Sequence, residues 1–203
     1  MFDELNAALD QAEQDGAVVV VTTDNPKVFS AGYDLKEMEK GIEAQRALVR
    51  KGSTMSKRLL SFPLPVIIAS PGHAIAKGAF LLLSVDYRIG TQGDFKIGLN
   101  EIAIGMTMHH VGLALARERV AHHMFHRAVF NAEMFSPDAA VTAGYYDEVV
   151  TADNLLERAL EKANELAQLD LVGHGQTKLR ARKDYFEHFD WAIEADCAGN
   201  LFN

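Results

Sequence analysis

The chain has 203 residues, 48% of them hydrophobic and 24% charged, with a formal net charge of −8. That length and mix can bury a full core in one domain and exclude a disordered or fibrous chain, while the acidic balance argues against a general nucleic-acid binder, which needs a basic surface to neutralise phosphates. The single Cys197 cannot close an internal disulfide, and no apolar run approaches the roughly 18 residues of a bilayer span, so a soluble cytoplasmic protein with no membrane or nucleic-acid partner is expected.

Phe2, Leu5, Leu9 and Ala12 recur at helical spacing, so the chain opens on an amphipathic helix that Gly16 ends. Residues 17–22 are continuously apolar and predict a strand buried on both faces. Asp24, Asn25 and Pro26 read as a loop. Residues 34–40 read as a short polar helix and residues 42–60 as a longer one, with Leu48, Met55, Leu59 and Leu60 available to the core and Pro63 and Pro65 closing it. Residues 66–70 repeat the buried-strand signal and run into Pro71 and Gly72. A helix over 78–85 is apolar on every side and is expected to be buried. Short strands over 87–90 and 95–98 then present Leu99, Asn100 and Glu101 at their far end. The pattern is largely helical from Thr107. Ser136, Pro137 and Asp138 start a helix that Gly144 stops, because serine caps, proline suits the first helical position and glycine the last turn. A last strand over 146–150 and helices over 154–169 and 177–198 complete the chain. Strands alternating with helices imply parallel pairing through right-handed crossovers, hence an α/β core over 1–150 and a helical region over 151–203.

Two glycine-punctuated segments stand out, one around Gly32 (Phe29, Ser30, Ala31, Tyr33, Asp34, Leu35) and one from Gly72 through Gly78 to Phe80. Each follows an apolar run and leads into a helical pattern, so each should carry backbone N–H groups with no helical partner. Two such turns brought together can hold one developing negative charge between two amides, the outline of an oxyanion hole for a thioester carbonyl. Cations crowd one stretch, Lys36 to Arg58, and read either as a solvated helix face or as a grip on a small anionic ligand. His122 and His126 lie one helical turn apart, but two histidines do not close a metal site, and none is expected. No Gly-x-Ser-x-Gly elbow or phosphate-binding P-loop occurs.

In this arrangement the chain resembles the crotonase, or enoyl-CoA hydratase/isomerase, superfamily over nearly its whole length. The residues that carry the resemblance are Phe29 to Met38, Pro65 to Ile67, Gly72 to Ala74, Asp86 to Ile89, Phe95 to Glu101 and Ser136 to Gly144, six landmarks in order and spacing. The resemblance implies a spiral of ββα units, a helical C-terminal region that builds a homotrimer or a dimer of trimers, and an acyl-CoA thioester substrate. Coenzyme A would enter only as part of that substrate, with no separate cofactor. It also implies that the amides of Tyr33 and Lys77 form the oxyanion hole. Ala31, Gly32, Asp34, Lys36, Gly78 and Phe80 would lie along the substrate, Lys36 near the nucleotide.

Family hydratases use two glutamates. The first position falls on Phe80 and the second on Glu101. A phenyl ring cannot hold or protonate a water, so two-carboxylate hydration is incomplete, whereas one carboxylate suffices for a 1,3-proton shift like that of the family's single-glutamate isomerases. Double-bond isomerisation with Glu101 as acid/base is therefore the primary expectation. His109 and His110 fall near the pocket and offer an alternative, hydration assisted by either imidazole. A catalytically silent acyl-CoA-binding protein is the third reading, suggested by Phe80 and by the family's N-terminal hairpin, missing ahead of the first helix either through truncation or through loss of one edge of the sheet. Lys77 stands where the family commonly has glycine; its side chain is expected to snorkel outward, and any positive φ there would be strained.

Overall fold

The computed structural model describes residues 1–199. Helix α1 (Phe2–Asp15) ends at Gly16, whose φ of 65° turns its amide back onto the Ala12 and Glu13 carbonyls. The chain continues through β1 (Val19–Val21), β2 (Val28–Ser30), α2 (Leu35–Met38), α3 (Ile42–Ser61), β3 (Val66–Ser70), β4 (His73–Ile75), α4 (Lys77–Leu82), β5 (Tyr87–Thr91) and β6 (Ile97–Gly98). Then come α5 (His110–Arg119), α6 (Phe125–Val129), α7 (Pro137–Ala143), β7 (Glu148–Val150), α8 (Leu155–Ala167), α9 (Leu171–Ala181) and α10 (Lys183–Ala198). None of the described helices is long and apolar enough to cross a membrane.

The strands form two parallel sheets, one in the order β1-β3-β5-β7 and one in the order β2-β4-β6. Alternate β3 residues serve different layers: Val66 and Ile68 face the main core with Phe80, Leu82 and Leu115, while Ile67 and Ala69 pack with Leu155 and Ala159 of α8. A strand covered on both faces must be apolar throughout, which is why residues 66–70 lack alternation. The equally apolar run at 17–22 behaves differently. Only Val19–Val21 are strand, and all are half-buried, because β1 lies at the edge of its sheet. The strand expected over 95–98 shortens to Ile97–Gly98.

The local signals act as the residues dictate. Ser136 Oγ accepts from the Ala139 amide at the start of α7, and Gly144 closes that helix with a φ of 88°. The helix expected over 177–198 is instead two. Asp170 caps α9 by accepting from the Val172 amide at 3.1 Å, so that helix begins at Leu171, and Arg182 breaks the run with a φ of −106° and ψ of 16°.

Gly78 sets the fit between the turns that follow β2 and β4 of one sheet: a Cβ there would lie 2.3 Å from the Ser30 carbonyl oxygen. Replacing it with alanine is expected to destabilise the protein by about 1–3 kcal/mol, the usual cost of overpacking, read as a lower melting temperature. An unchanged melting temperature would contradict this close approach.

Candidate active site

The three strands β2, β4 and β6 are adjacent and parallel, so their C-terminal ends open on one edge of the sheet. That edge carries Ala31 to Asp34 after β2, Ala76 to Gly78 after β4, and Leu99 to Glu101 after β6. Ligands of parallel sheets collect at such edges, where successive loops converge. The first two turns touch. Gly32 has a φ of 111°, and a methyl built on it would lie 3.2 Å from the Ala76 Cβ and 3.7 Å from the Lys77 amide nitrogen. Gly32 donates to Ser30 Oγ at 3.4 Å, but among the described residues the amides of Tyr33 and Lys77 donate to no protein acceptor. Ala76 adopts φ 51° and ψ −117°, a conformation that glycine tolerates and alanine resists. The strain expected at Lys77 therefore sits one residue earlier.

Beside these turns is a cavity of about 170 Å³ lined by Ala31, Gly32, Tyr33, Leu35, Met38, Ala76, Asn100, Glu101, Ile104, Met106 and His109. Glu101 is 5% exposed, and its Oε2 is buried without a hydrogen-bond partner among the described residues. Loss of water raises its pKa to about 7, because burial penalises the charged carboxylate. His109, 6% exposed, is pushed down to about 3, first by burial and then by the charges of Lys77 and His110. It is a neutral imidazole at physiological pH. Its ring meets the Phe80 ring edge-on at a centroid separation of 5.1 Å. His109 sits at the N-terminal boundary of α5, whose first amides are satisfied from another element: Asp196 of α10 accepts from His110 N–H at 2.7 Å and Val111 N–H at 3.0 Å.

The structure thus brings together Ala31, Gly32, Tyr33, Glu101 and His109 around one cavity, with the Lys77 amide beside Gly32. It does not bring His110 there: that ring is exposed and meets Trp191 at 5.0 Å, since adjacent residues at a helix start point in different directions. Phe80 lies behind His109, Gly78 packs on Ser30, Asp34 caps α2 by accepting from the Lys36 amide at 2.9 Å, and Lys36 is exposed; none of the four lines the cavity. Nor does Lys77 snorkel outward. It is 2% exposed, and its Nζ donates to Gly52 O and Ser56 Oγ, each at 2.6 Å. Sequence reasoning missed Leu35, Met38, Ala76, Asn100, Ile104 and Met106 as lining residues. The three-residue spacing of Leu35 and Met38, one face of a short helix, is the signal that could have found two of them.

A sequence profile described as enoyl-CoA hydratase/isomerase matches residues 1–188. An enoyl-CoA hydratase/isomerase family protein from Pseudomonas syringae is 52% identical, with 97% of this chain and 85% of that one covered at a TM-score of 0.95. An enoyl-CoA isomerase from Mycobacterium tuberculosis is 36% identical, covering 98% and 87%, at a TM-score of 0.92. The short-chain-enoyl-CoA hydratase of Clostridium acetobutylicum is 29% identical over 98% of this chain and 78% of its own length.

Because burial favours the neutral acid, Glu101 should be protonated below about pH 7 and ionised above it. Carbon NMR of carboxyl-labelled glutamate, assigned with Glu101→Gln, is expected to show one carboxyl titrating near neutrality. Titration of every glutamate near its ordinary value would contradict the desolvated site.

Proposed function

The chain belongs to the enoyl-CoA hydratase/isomerase family, and from that premise we propose that it moves a double bond along an enoyl-CoA thioester with Glu101 as its single acid/base. The observation that carries this reading is a buried carboxyl with an unpartnered Oε2 in the cavity that Tyr33 and Gly32 line, with the Lys77 amide beside Gly32 and no acceptor for either the Tyr33 or the Lys77 amide among the described residues. In a 3-enoyl-CoA, the thioester oxygen accepts from the Tyr33 and Lys77 N–H groups. The Glu101 carboxylate removes a proton from C2, and the electron pair delocalises onto that oxygen as a dienolate. Glu101, now protonated, returns the proton at C4, which leaves the double bond between C2 and C3. A pKa near 7 suits a group that must both take and give a proton at neutral pH. No separate cofactor enters this scheme.

Hydration is the second reading, favoured by one observation: neutral His109 lines the same cavity as Glu101 and could handle a proton of an attacking water. His110, turned towards Trp191, has no part in it. The relatives' names span both activities. A silent acyl-CoA binder is the third reading, in which the same pocket holds a thioester without turnover.

The chain is further proposed to assemble as a trimer or a dimer of trimers. Leu156 and Leu160 of α8, Leu169 and Val172 are large apolar groups left exposed on the described chain. Sedimentation is expected to give three or six times the chain mass; a monomer at micromolar concentration would contradict this.

Glu101→Gln keeps the shape but cannot accept and return a proton, so it should lower kcat by about 10²- to 10⁴-fold with KM nearly unchanged. On a 3-enoyl-CoA, His109→Ala and His110→Ala should each keep most of the wild-type rate. If hydration is the main reaction, His109→Ala should instead fall almost as far as Glu101→Gln on a 2-enoyl-CoA. Wild-type protein inert towards both substrates would leave the silent reading standing.

A further inference from the structure

Lys77 carries a long amine buried with no carboxylate beside it among the described residues, and burial lowers its pKa to about 7 by penalising the charged form. So unfavourable a placement needs a compensating role. Both of its acceptors, Gly52 O and Ser56 Oγ, lie on a single turn of α3. The same turn receives the other residue of the amide pair. A Cβ on Gly52 would lie 2.1 Å from the Tyr33 hydroxyl oxygen and 2.6 Å from its ring, so the tyrosine is seated where only glycine leaves space. Gly52 therefore holds Lys77 through its carbonyl and Tyr33 through its bare Cα. Directly before Lys77 and against Gly32 stands Ala76, whose φ of 51° is a conformation that persists only where the surroundings over-determine it.

We propose that the Gly52–Ser56 turn of α3 is an anchor that fixes the separation of the two oxyanion amides, with the side chains of Lys77 and Tyr33 as positioning groups for their own backbone N–H donors. The proposal rests on the enolate-holding reading above. It assigns a role to a lysine side chain that has no contact with the cavity: tension at its far end holds the turn on which its amide sits. A glycine at this position would free the backbone and lose the anchor.

The test uses Lys77→Met, which keeps length and apolar bulk but donates no hydrogen bond, and Gly52→Ala, which displaces the Tyr33 ring without touching Lys77. The readouts are kcat and KM on a 3-enoyl-CoA and the absorption shift of a dimethylaminocinnamoyl-CoA thioester on binding, which reports how strongly its carbonyl is polarised. A misplacement of about 1 Å can cost on the order of 10²-fold, so each variant should lose about tenfold to a hundredfold in kcat with little change in KM and a smaller red shift than wild type. Circular dichroism melts separate this from unfolding, and if one variant does not fold the other decides. A folded variant with undiminished red shift and kcat would overturn the anchor. Wild-type protein that binds the probe with no red shift would overturn the oxyanion reading and the anchor with it.

Discussion

The site depends on how closely two strand-to-helix turns approach one another. Gly78 lies so near the Ser30 carbonyl that no side chain fits between them, and a methyl on Gly32 would press on the Ala76 Cβ at 3.2 Å and lie 3.7 Å from the Lys77 amide nitrogen. Such contact is possible only because β2, β4 and β6 are parallel neighbours whose ends open on one edge. Hydrogen bonding reinforces it, with the Ala76 amide donating to Gly98 O at 3.0 Å and so tying the second turn to the strand that leads to Glu101. Two glycines at the contact and one strained alanine beside it are the conformational cost of placing two amides side by side.

A second constraint follows from the cavity's apolar walls. Burial of the Glu101 carboxyl in this largely apolar lining removes water from it and favours its neutral form, while burial holds His109 neutral from the opposite direction. An enolate formed there would be the main charge in a poorly hydrated space, where aimed amides are worth more than in water. Phe80 fits this environment. Its ring occupies space beside His109 and offers no proton, which leaves Glu101 as the one carboxylate among the described lining residues.

Much of this was legible in the sequence because the decisive features are local. Gly32, Gly78 and the apolar strands before them mark the two turns, and Glu101 follows a strand end by short spacing. What was not legible depends on distant partners. The run at residues 17–22 reads like that at 66–70, yet position at the sheet edge leaves it half-exposed, and sheet order is not written in either segment. Nothing near Lys77 announces that α3 offers a carbonyl and a hydroxyl to its amine. Which of His109 and His110 faces the cavity depends on where α5 begins, and its first amides are received by the carboxylate of Asp196, 86 residues after His110. The break at Arg182 escaped because the apolar and charged residues around it keep helical spacing across the gap.

The most direct measurement is a crystal structure of the protein with a saturated acyl-CoA, which binds like the substrate but cannot isomerise. The thioester oxygen is expected at about 2.7–3.1 Å from both the Tyr33 and Lys77 amide nitrogens, with C2 and C4 both within reach of the Glu101 carboxylate. A thioester oxygen turned away from the two amides, or an acyl chain that leaves Glu101 on the far side of the sheet edge, would contradict it.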